Sequence, residues 1–210
     1  MTDSSRGPLD TTRRATSWLE CPDEKLLEAT AGGEEEAFVE IYRRYRQRVY
    51  RFAYHMSGSA MAAEDVTHGA FLSLLESPRR FRPGRAALAT YLCAVARNLN
   101  LKRLRKTRRE VLREAPAPGT AGEGDPLEAL LEDERARVVR AAVLRLAPLH
   151  REVVLLADLE ELDLASVAEI VGAAVGTVKV RLHRARRKLR QWLAADATEP
   201  GRQWSGTRRG

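Results

Sequence analysis

The sequence predicts an all-α protein made of two small helical domains joined by a flexible linker. Two blocks of the chain repeat apolar residues at helical spacing, and no stretch alternates apolar and polar residues long enough to indicate a strand. The segment EAPAPGTAGEGDP at 114–126, rich in Pro and Gly, separates the blocks. Aromatic residues are only 6% of the 210 residues, which favours helical domains built on Leu, Ala and Val.

Changes in composition along the chain predict five segments. Residues 1–21 are rich in Ser, Thr and Arg without periodicity, and we expect a disordered tail there. The first helical domain is expected at 22–107, the flexible linker at 108–134 and the second helical domain at 135–195. Residues 196–210 are expected to form a second loose tail.

In the first block, Gly58 is expected to end one helix and Ser77-Pro78 the next. A third helix is predicted to carry a basic tract in its last turns. The first of these helices has its apolar residues at Phe38, Ile41, Tyr42, Tyr45, Val49, Phe52 and Met56.

The second block contains the pattern of a helix-turn-helix. Pro148 suits the first turn of a helix, where its missing N–H is not needed. Asp163 is expected to cap a short helix that Gly172 ends in the left-handed conformation. After a tight turn, a final basic helix is expected from Val175 to about Leu193. This order of elements is typical of a DNA-binding helix-turn-helix.

The final helix separates into two faces when its residues are spaced at helical intervals. One face is apolar and is expected to pack inward: Val178, Leu182, Ala185, Leu189 and Trp192. The opposite face would enter a major groove: Val180, His183, Arg184 and Arg187, with Lys179 on the flank. A basic amphipathic helix that faces solvent or a membrane surface is the alternative interpretation.

Positive charge is concentrated in two tracts, at 97–109 and 179–190, with an acidic stretch at 123–134 between them. The formal net charge is +7, which favours a polyanionic partner such as nucleic acid or an acidic membrane surface. Two separate basic helices fit a protein that holds DNA at two places.

The sequence lacks the patterns that would indicate other classes of protein. Cys21 and Cys93 form no C-x-x-C pair, so neither a disulfide framework nor a zinc site is predicted. The start of the chain has no signal-peptide pattern, and no apolar run approaches the roughly 18 residues that cross a membrane. We therefore expect a soluble, cytoplasmic protein with no membrane insertion. Since the common nucleotide-binding, zinc-protease and nucleophile motifs are missing, we expect no enzyme activity and no cofactor or metal; a hydrolase or transferase is an alternative.

Both blocks resemble the extracytoplasmic-function group of sigma factors, over roughly 23–107 and 135–195. FVEIYRRY resembles the opening helix of the family, and AEDVTHGAFLSLL the helix that docks on the clamp of the polymerase β′ subunit. TYLCAVARNLNLKRLRK resembles the helix that faces the promoter −10 element. GTVKVRLHRARRKL, with the segment from Leu146 through Glu152 before it, resembles the domain that reads the −35 element, and this string is highly specific.

The resemblance implies that the first domain is region 2-like and binds core RNA polymerase and single-stranded −10 DNA. The second domain would be region 4-like and read double-stranded −35 DNA. The implied partners are core RNA polymerase, through its β′ clamp and β flap, promoter DNA and an anti-sigma protein. The residues implied to bind polymerase are Asp65, Phe71, Leu72 and Leu75. The residues implied to contact −10 DNA are Arg80, Arg82, Arg97, Asn98 and Lys102. The residues implied to contact −35 DNA are Thr177, Lys179, Val180, Arg181, His183, Arg184 and Arg187.

The chain also departs from the family pattern. His68-Gly69 stands where Gln-Glu is common in the docking helix, Lys102 replaces a common Asp, and Val180 stands where a small polar residue is frequent. The loop at 79–87 matches the loop that cradles a flipped −10 base, but it carries an unusual Pro83-Gly84. Arg80, Phe81, Arg82 and Arg85 of this loop offer cations and a flat ring to melted DNA.

Each first-domain residue has a purely structural alternative. Phe71 and Leu72 could belong to the core, Asp65 could cap its helix, and Arg97 could lie on a solvated face. For the whole chain, the alternative is a stand-alone helix-turn-helix regulator that never joins polymerase. Such a regulator needs no docking helix and no −10 helix, and it would usually bind a palindromic duplex as a dimer.

Overall fold

The computed structural model describes residues 18–78, 81, 87–113 and 134–198, without the side chains at 107–113, 134–135 and 196–198. The chain divides into two compact units, Met1–Gly124 and Asp125–Gly210, and this division falls within the expected linker. Every regular element in the described ranges is helical, which confirms the all-α prediction. Residues 1–17, 114–133 and 199–210, which hold most of the expected tails and linker, lie outside the described residues.

The regular helices described in the first unit are α1 (Asp23–Ala31), α2 (Glu35–Ser57), α3 (Ala60–Glu76) and α4 (Leu88–Arg113). Helices α2, α3 and α4 pack against one another, and α1 packs on α2. Gly58 ends α2 with a φ of 74°, in the left-handed region that favours glycine, as predicted. Helix α4 runs six residues beyond the expected domain end at 107.

Local signals explain the boundaries of α3. The Ser59 hydroxyl accepts a hydrogen bond from the Ala62 backbone N–H and caps the first turn. The helix ends at Glu76, just before the Ser77-Pro78 pair that predicted its end. The largest fully buried side chains of this unit come from all four helices: Leu26, Ile41, Val49, Phe52, Met56, Leu74, Leu88 and Leu92.

Arg44 of α2 ties the segment before α1 to the rest of the unit. Its guanidinium donates hydrogen bonds to the backbone carbonyls of Trp18, Leu19 and Cys21, at 2.9 to 3.0 Å. It also donates to Asp23 at 3.1 Å and to the buried carboxylate of Glu40 at 2.7 Å. Residues 18–21, which the sequence assigned to a disordered tail, are therefore held against α2.

The carboxylate of Glu40 is shared by two arginines. Arg43 donates to it at 2.8 and 3.0 Å, and Arg44 donates to it from the next position along α2. The hydrogen bonds from Arg43 and Arg44 hold the pKa of Glu40 below its ordinary value, although burial acts in the opposite direction. Glu40 is therefore a paired anion inside the first unit.

The second unit contains α5 (Glu134–Arg145), α6 (Pro148–Val154), a π-helical turn (Leu155–Leu159), α7 (Leu164–Val171) and α8 (Val175–Thr198). Pro148 lies in the first turn of α6. The Asp163 carboxylate accepts hydrogen bonds from the backbone N–H groups of Ala165 and Ser166, and Gly172 ends α7 with a φ of 64°. All three predicted features are confirmed, whereas the π-helical turn was not predicted.

The core of the second unit forms where α6 and α7 pack on α8. Its fully buried or nearly buried apolar side chains are Val153, Leu156, Val167, Val178, Leu182 and Ala185. Arg151 is also buried, and its guanidinium donates to the backbone carbonyls of Leu144, in the last turn of α5, and Leu146, just beyond the end of α5. These bonds join the end of α5 to α6.

Arg44→Ala should destabilise the first unit by about 2–4 kcal/mol, because it removes one of the three hydrogen bonds to the buried Glu40 carboxylate and the guanidinium that binds three backbone carbonyls. Arg43→Ala is the matched control: it removes the other two hydrogen bonds to Glu40, but the Arg43 side chain is 62% exposed and binds no backbone carbonyl in the part of the chain that the structure describes. We expect Arg43→Ala to cost less than Arg44→Ala, because it leaves residues 18–21 anchored. Urea unfolding measures both, and equal losses would contradict the anchoring role of Arg44.

Candidate functional site

The buried side of α8 fixes which of its residues face outward. Val178, Leu182 and Ala185 are buried against α6 and α7, as the helical phasing predicted. Leu189 and Trp192, the last two residues of the predicted stripe, are only half-buried. The guanidinium of Arg145 lies 4.6 Å from the centre of the Trp192 ring, a cation–π contact that covers this end of the helix.

The opposite side of α8 is a cationic surface with one apolar member. Lys179, His183, Arg184 and Arg187 are exposed, and Thr177 is exposed near the start of the helix. Val180 lies among them with 49% of its surface exposed. The structure therefore brings together all the predicted −35 readers except Arg181.

Arg181 and Arg186 are turned toward carboxylates of their own unit. The guanidinium of Arg181 lies 3.9 Å from the fully buried carboxylate of Glu152 on α6. Arg186 donates through Nε to Asp158 at 3.1 Å and through Nη2 to the second oxygen of the same carboxylate. Both contacts hold α8 against the segment at 148–159, so these two arginines support the helix rather than extend from its outer face.

An apolar groove of about 280 Å³ lies between α2 and α3 in the first unit. The Phe71 ring is buried and contacts Tyr42 edge-on, with 4.7 Å between ring centres. Leu72 and Leu75 are exposed at the groove, as is Val39 from α2. The complete lining is Phe38, Val39, Tyr42, His68, Phe71, Leu72 and Leu75.

Three of the four predicted polymerase-binding residues meet in this groove: Phe71, Leu72 and Leu75. The four lining residues at 38, 39, 42 and 68 were not predicted as site residues. The sequence contained one signal for part of them, because Phe38 and Tyr42 belong to the apolar stripe of α2. The first turns of that stripe line the groove, and its later turns are buried in the core.

Asp65, the fourth predicted polymerase-binding residue, lies outside the groove. It is exposed and accepts a hydrogen bond of 2.6 Å from Arg103, a cation of the first basic tract. On the same helix as Arg103, Lys102 is exposed, and Arg97 donates to the Asn98 side chain at 3.0 Å. The predicted −10 residues on α4 thus lie along one helix that contacts α3.

The loop at 79–87 is described only in part. Arg80 and Arg82, predicted −10 contacts, lie outside the described residues, as do Pro83-Gly84 and Arg85. Phe81 is buried, and its ring packs edge-on against Tyr91 with 5.7 Å between centres. The expectation that Phe81 presents its flat face to a base therefore differs from the structure, which uses the ring in the core.

Gly69 has a packing role that the sequence did not reveal. A Cβ atom at this position would lie 3.1 Å from Cδ1 of Leu99, so glycine lets α3 and α4 approach closely. Having His68-Gly69 in place of the family's common Gln-Glu therefore does more than remove a carboxylate, since the glycine also allows close helix packing. His68 itself faces the groove.

Within the described ranges, no group of three or more His, Cys, Asp or Glu side chains is placed to hold a metal ion. Among the same residues, no helix combines the length and the hydropathy that crossing a bilayer requires.

Family models match both units. Sigma-70 region 2 matches residues 41–110, and Sigma-70 region 4 matches residues 136–189. The extracytoplasmic-function (ECF) sigma factor SigW of Bacillus subtilis is 30% identical over 83% of this chain and 98% of its own length. The ECF sigma factor SigE of Mycolicibacterium smegmatis is 31% identical over 88% of this chain and 74% of its own length.

This chain belongs to the ECF sigma factors. Two solved structures share its fold. The sigma factor RpoE of Bartonella quintana, in complex with the anti-sigma factor NepR, has a TM-score of 0.60 at 24% identity, over 76% of this chain and 98% of its own. CnrH, in complex with the cytosolic domain of CnrY, has a TM-score of 0.60 at 22% identity, over 83% and 98%.

The two family matches decide between the main hypotheses. The region 2 match includes most of α2, all of α3 and most of α4, with the groove residues from Tyr42 onward. A stand-alone regulator has no need of this unit, so the sigma factor function is favoured over that alternative. The region 4 match contains the helix-turn-helix and ends at Leu189, before the last turns of α8.

In this ECF sigma factor, the pKa of His150 on α6 depends on burial of the ring and on the positive charges of α8. Burial, together with the charges of Lys188, Arg181 and Arg184, lowers the pKa of His150 below its ordinary value. The Nδ1 atom of this ring is buried and lacks a hydrogen-bond partner among the described residues. The folded second unit therefore favours the neutral imidazole.

We expect an NMR titration to give His150 a pKa below about 6.5, the ordinary value of histidine. Because the folded pKa is depressed, the contribution of His150 to stability is present above the unfolded pKa and is lost as pH falls through the folded one. Between pH 7 and 5, His150→Gln should therefore lose less stability than the wild-type chain in urea unfolding. An equal loss would show that folding does not depress the pKa of His150.

Proposed function

We propose that this sigma factor docks on core RNA polymerase through the groove between α2 and α3 and reads −35 DNA with the outer face of α8. The observation that carries the proposal is the separation of the two sides of α8. Its apolar side is buried in the unit, and Thr177, Lys179, Val180, His183, Arg184 and Arg187 are left exposed. Side chains of this kind on a helix-turn-helix match the donors and apolar contacts that the major groove accepts.

In this proposal the base readers and the supporting arginines have separate tasks. Lys179 and Arg184 can donate to guanine edges or phosphates, and His183 can donate or accept at a base edge. Arg187 lies farther along the helix and suits phosphate contact. Arg181 supports α8 through Glu152 in the free chain, and DNA phosphate would have to compete with that contact.

The −10 element is proposed to lie along α4, where Arg97, Asn98 and Lys102 present donors from one helix. Single-stranded DNA requires cations along its backbone, and this helix carries them without interruption from Lys102 to Lys106 except at Leu104. Arg80 and Arg82 are proposed contacts from the adjoining loop, on grounds of sequence alone.

The groove supports the polymerase-docking part of the proposal. The rim of the groove exposes the apolar side chains of Val39, Leu72 and Leu75. Exposing them does not stabilise the unit by itself, and such exposed apolar surface is typical of a site that binds a partner. A helix from a partner protein could cover it. The RpoE and CnrH relatives were solved with NepR and CnrY, and we propose an anti-sigma protein as a further partner of this chain.

The chain is proposed to act in the cytoplasm and to have no catalytic activity of its own. RNA synthesis would belong entirely to the polymerase, and the sigma factor would contribute promoter choice. Mixing the full chain with bacterial core RNA polymerase should give a one-to-one complex by native mass spectrometry. The complex should then produce run-off transcripts that core polymerase alone does not produce.

Leu72→Glu should weaken the complex with core polymerase by roughly tenfold or more, because it places a carboxylate at the rim of the apolar groove that the partner is proposed to cover. Met61→Glu is the matched control: it makes the same change on the same helix, at a side chain that is 68% exposed and outside the groove. Both variants should fold, since both side chains are exposed. Native mass titration measures the affinities, and equal weakening would rule out the groove as the docking site.

Arg184→Ala should weaken binding of the holoenzyme to its −35 element by about 1–3 kcal/mol, the value of one good base contact, or about 5- to 150-fold. It should also relax the base preference at one position. Arg137→Ala removes the same charge from an exposed site on α5 and serves as the control. Filter binding to promoter variants distinguishes the two, and unchanged preference in Arg184→Ala would exclude this residue as a base reader.

A further inference from the structure

Two uncharged residues lie on the midline of the cationic face of α8. Gly176 and Val180 are one helical turn apart and therefore share one side of the helix. That side is opposite the buried residues Val178, Leu182 and Ala185. The side chain of Val180 is half exposed, and Gly176 leaves a gap directly beside it along the helix.

The fold itself gives no reason for a glycine at position 176. A Cβ atom added there would have no heavy atom within 4 Å, so nothing else in the described chain fills the space. Glycine also lowers helix stability relative to alanine, and no left-handed backbone is required at this position. A glycine of this kind leaves room for the close approach of another molecule.

Val180 limits the chemistry of that molecule. Its side chain has no donor and no acceptor, so it contributes nothing to guanine, adenine or cytosine edges. In the major groove only thymine presents an apolar group, the C5 methyl. An exposed valine beside an open notch, flanked by the cations Lys179 and Arg184, therefore matches a thymine held in place by neighbouring polar contacts.

We propose that Gly176 and Val180 form a notch that accepts the C5 methyl group of a thymine, so that this chain selects thymine at one position of its −35 element. The inference rests on the proposed reading of −35 DNA by α8. It adds the chemical identity of one base and assigns Gly176 a role in specificity.

The test uses the full chain in complex with core RNA polymerase and a library of promoter duplexes with a randomised −35 element. The wild-type complex should enrich thymine at one position at which the Val180→Ser complex shows no such enrichment. In a single selected duplex, replacing that thymine by deoxyuridine removes only the methyl group. Wild-type affinity should then fall by about fourfold, the value of one buried methyl group.

Two variants separate the notch from general effects on α8. Gly176→Ala should leave stability in urea equal or higher, because the added methyl meets open space, and yet it should reduce affinity for the thymine duplex and abolish the preference over deoxyuridine. Val175→Ser is the matched control for Val180→Ser, since Val175 is an exposed valine on the same helix but on a different side. It should keep the full methyl preference.

The outcomes distinguish this inference from the function on which it rests. If the wild-type complex enriches a −35 sequence but loses no affinity when deoxyuridine replaces the thymine, the methyl notch is overturned and −35 reading stands. A methyl preference that survives both Val180→Ser and Gly176→Ala assigns the contact to other residues and also overturns the inference. If the wild-type complex enriches no −35 sequence, the proposed function fails, and the notch fails with it.

Discussion

The packing of Val178, Leu182 and Ala185 beneath α8 is the contact on which DNA recognition by the second unit depends. These residues recur at intervals of three and four, so burying them fixes the rotation of the helix about its axis. If the helix were rotated by one residue, the proposed base-contacting side chains would turn by about 100°. The supporting contacts of Arg181 and Arg186 act at the sides of the same helix, and the cap at Asp163 sets where the preceding helix begins.

The first unit, by contrast, leaves an apolar surface exposed at the groove between α2 and α3. Phe71 forms part of the core, with Tyr42 against it, and yet both residues line the groove. The core role of Phe71 and its proposed docking role are therefore compatible, because one face of the ring packs inside the unit while the ring also lines the groove. Leu72 follows it on α3 and is exposed, so core packing and the proposed partner contact fall on successive positions of one helix.

Helical period and capping chemistry were sufficient to predict the secondary structure and the two faces of α8. Gly58, Pro148, Asp163 and Gly172 act where the sequence placed them, because caps and turns depend on local backbone conformation. Apart from the π-helical turn, the features that the sequence missed depend on residues distant in the chain: the pair of Arg103 with Asp65, the anchoring of residues 18–21 by Arg44, and the close approach of α3 and α4 at Gly69 and Leu99. Periodicity carries no information about such pairs, and the same limit applied to Phe81, whose burial depends on Tyr91.

Arginine has three different tasks in this chain, and its local partners decide which one it performs. Arg44, which is partly buried, and Arg151, which is buried, bind backbone carbonyls, since one guanidinium can satisfy several acceptors at once. Arg186 is paired with a carboxylate of its own unit, whereas Arg184 on the same helix is exposed and is paired with no carboxylate in the part of the chain that the structure describes, which leaves it for the proposed DNA contact. A net charge of +7 therefore says little about where DNA binds. The proposed interface on α8 consists of cations that have no carboxylate partner among the described residues. Uncharged positions among those cations, such as Val180, are where sequence preference can arise without changing the electrostatic attraction.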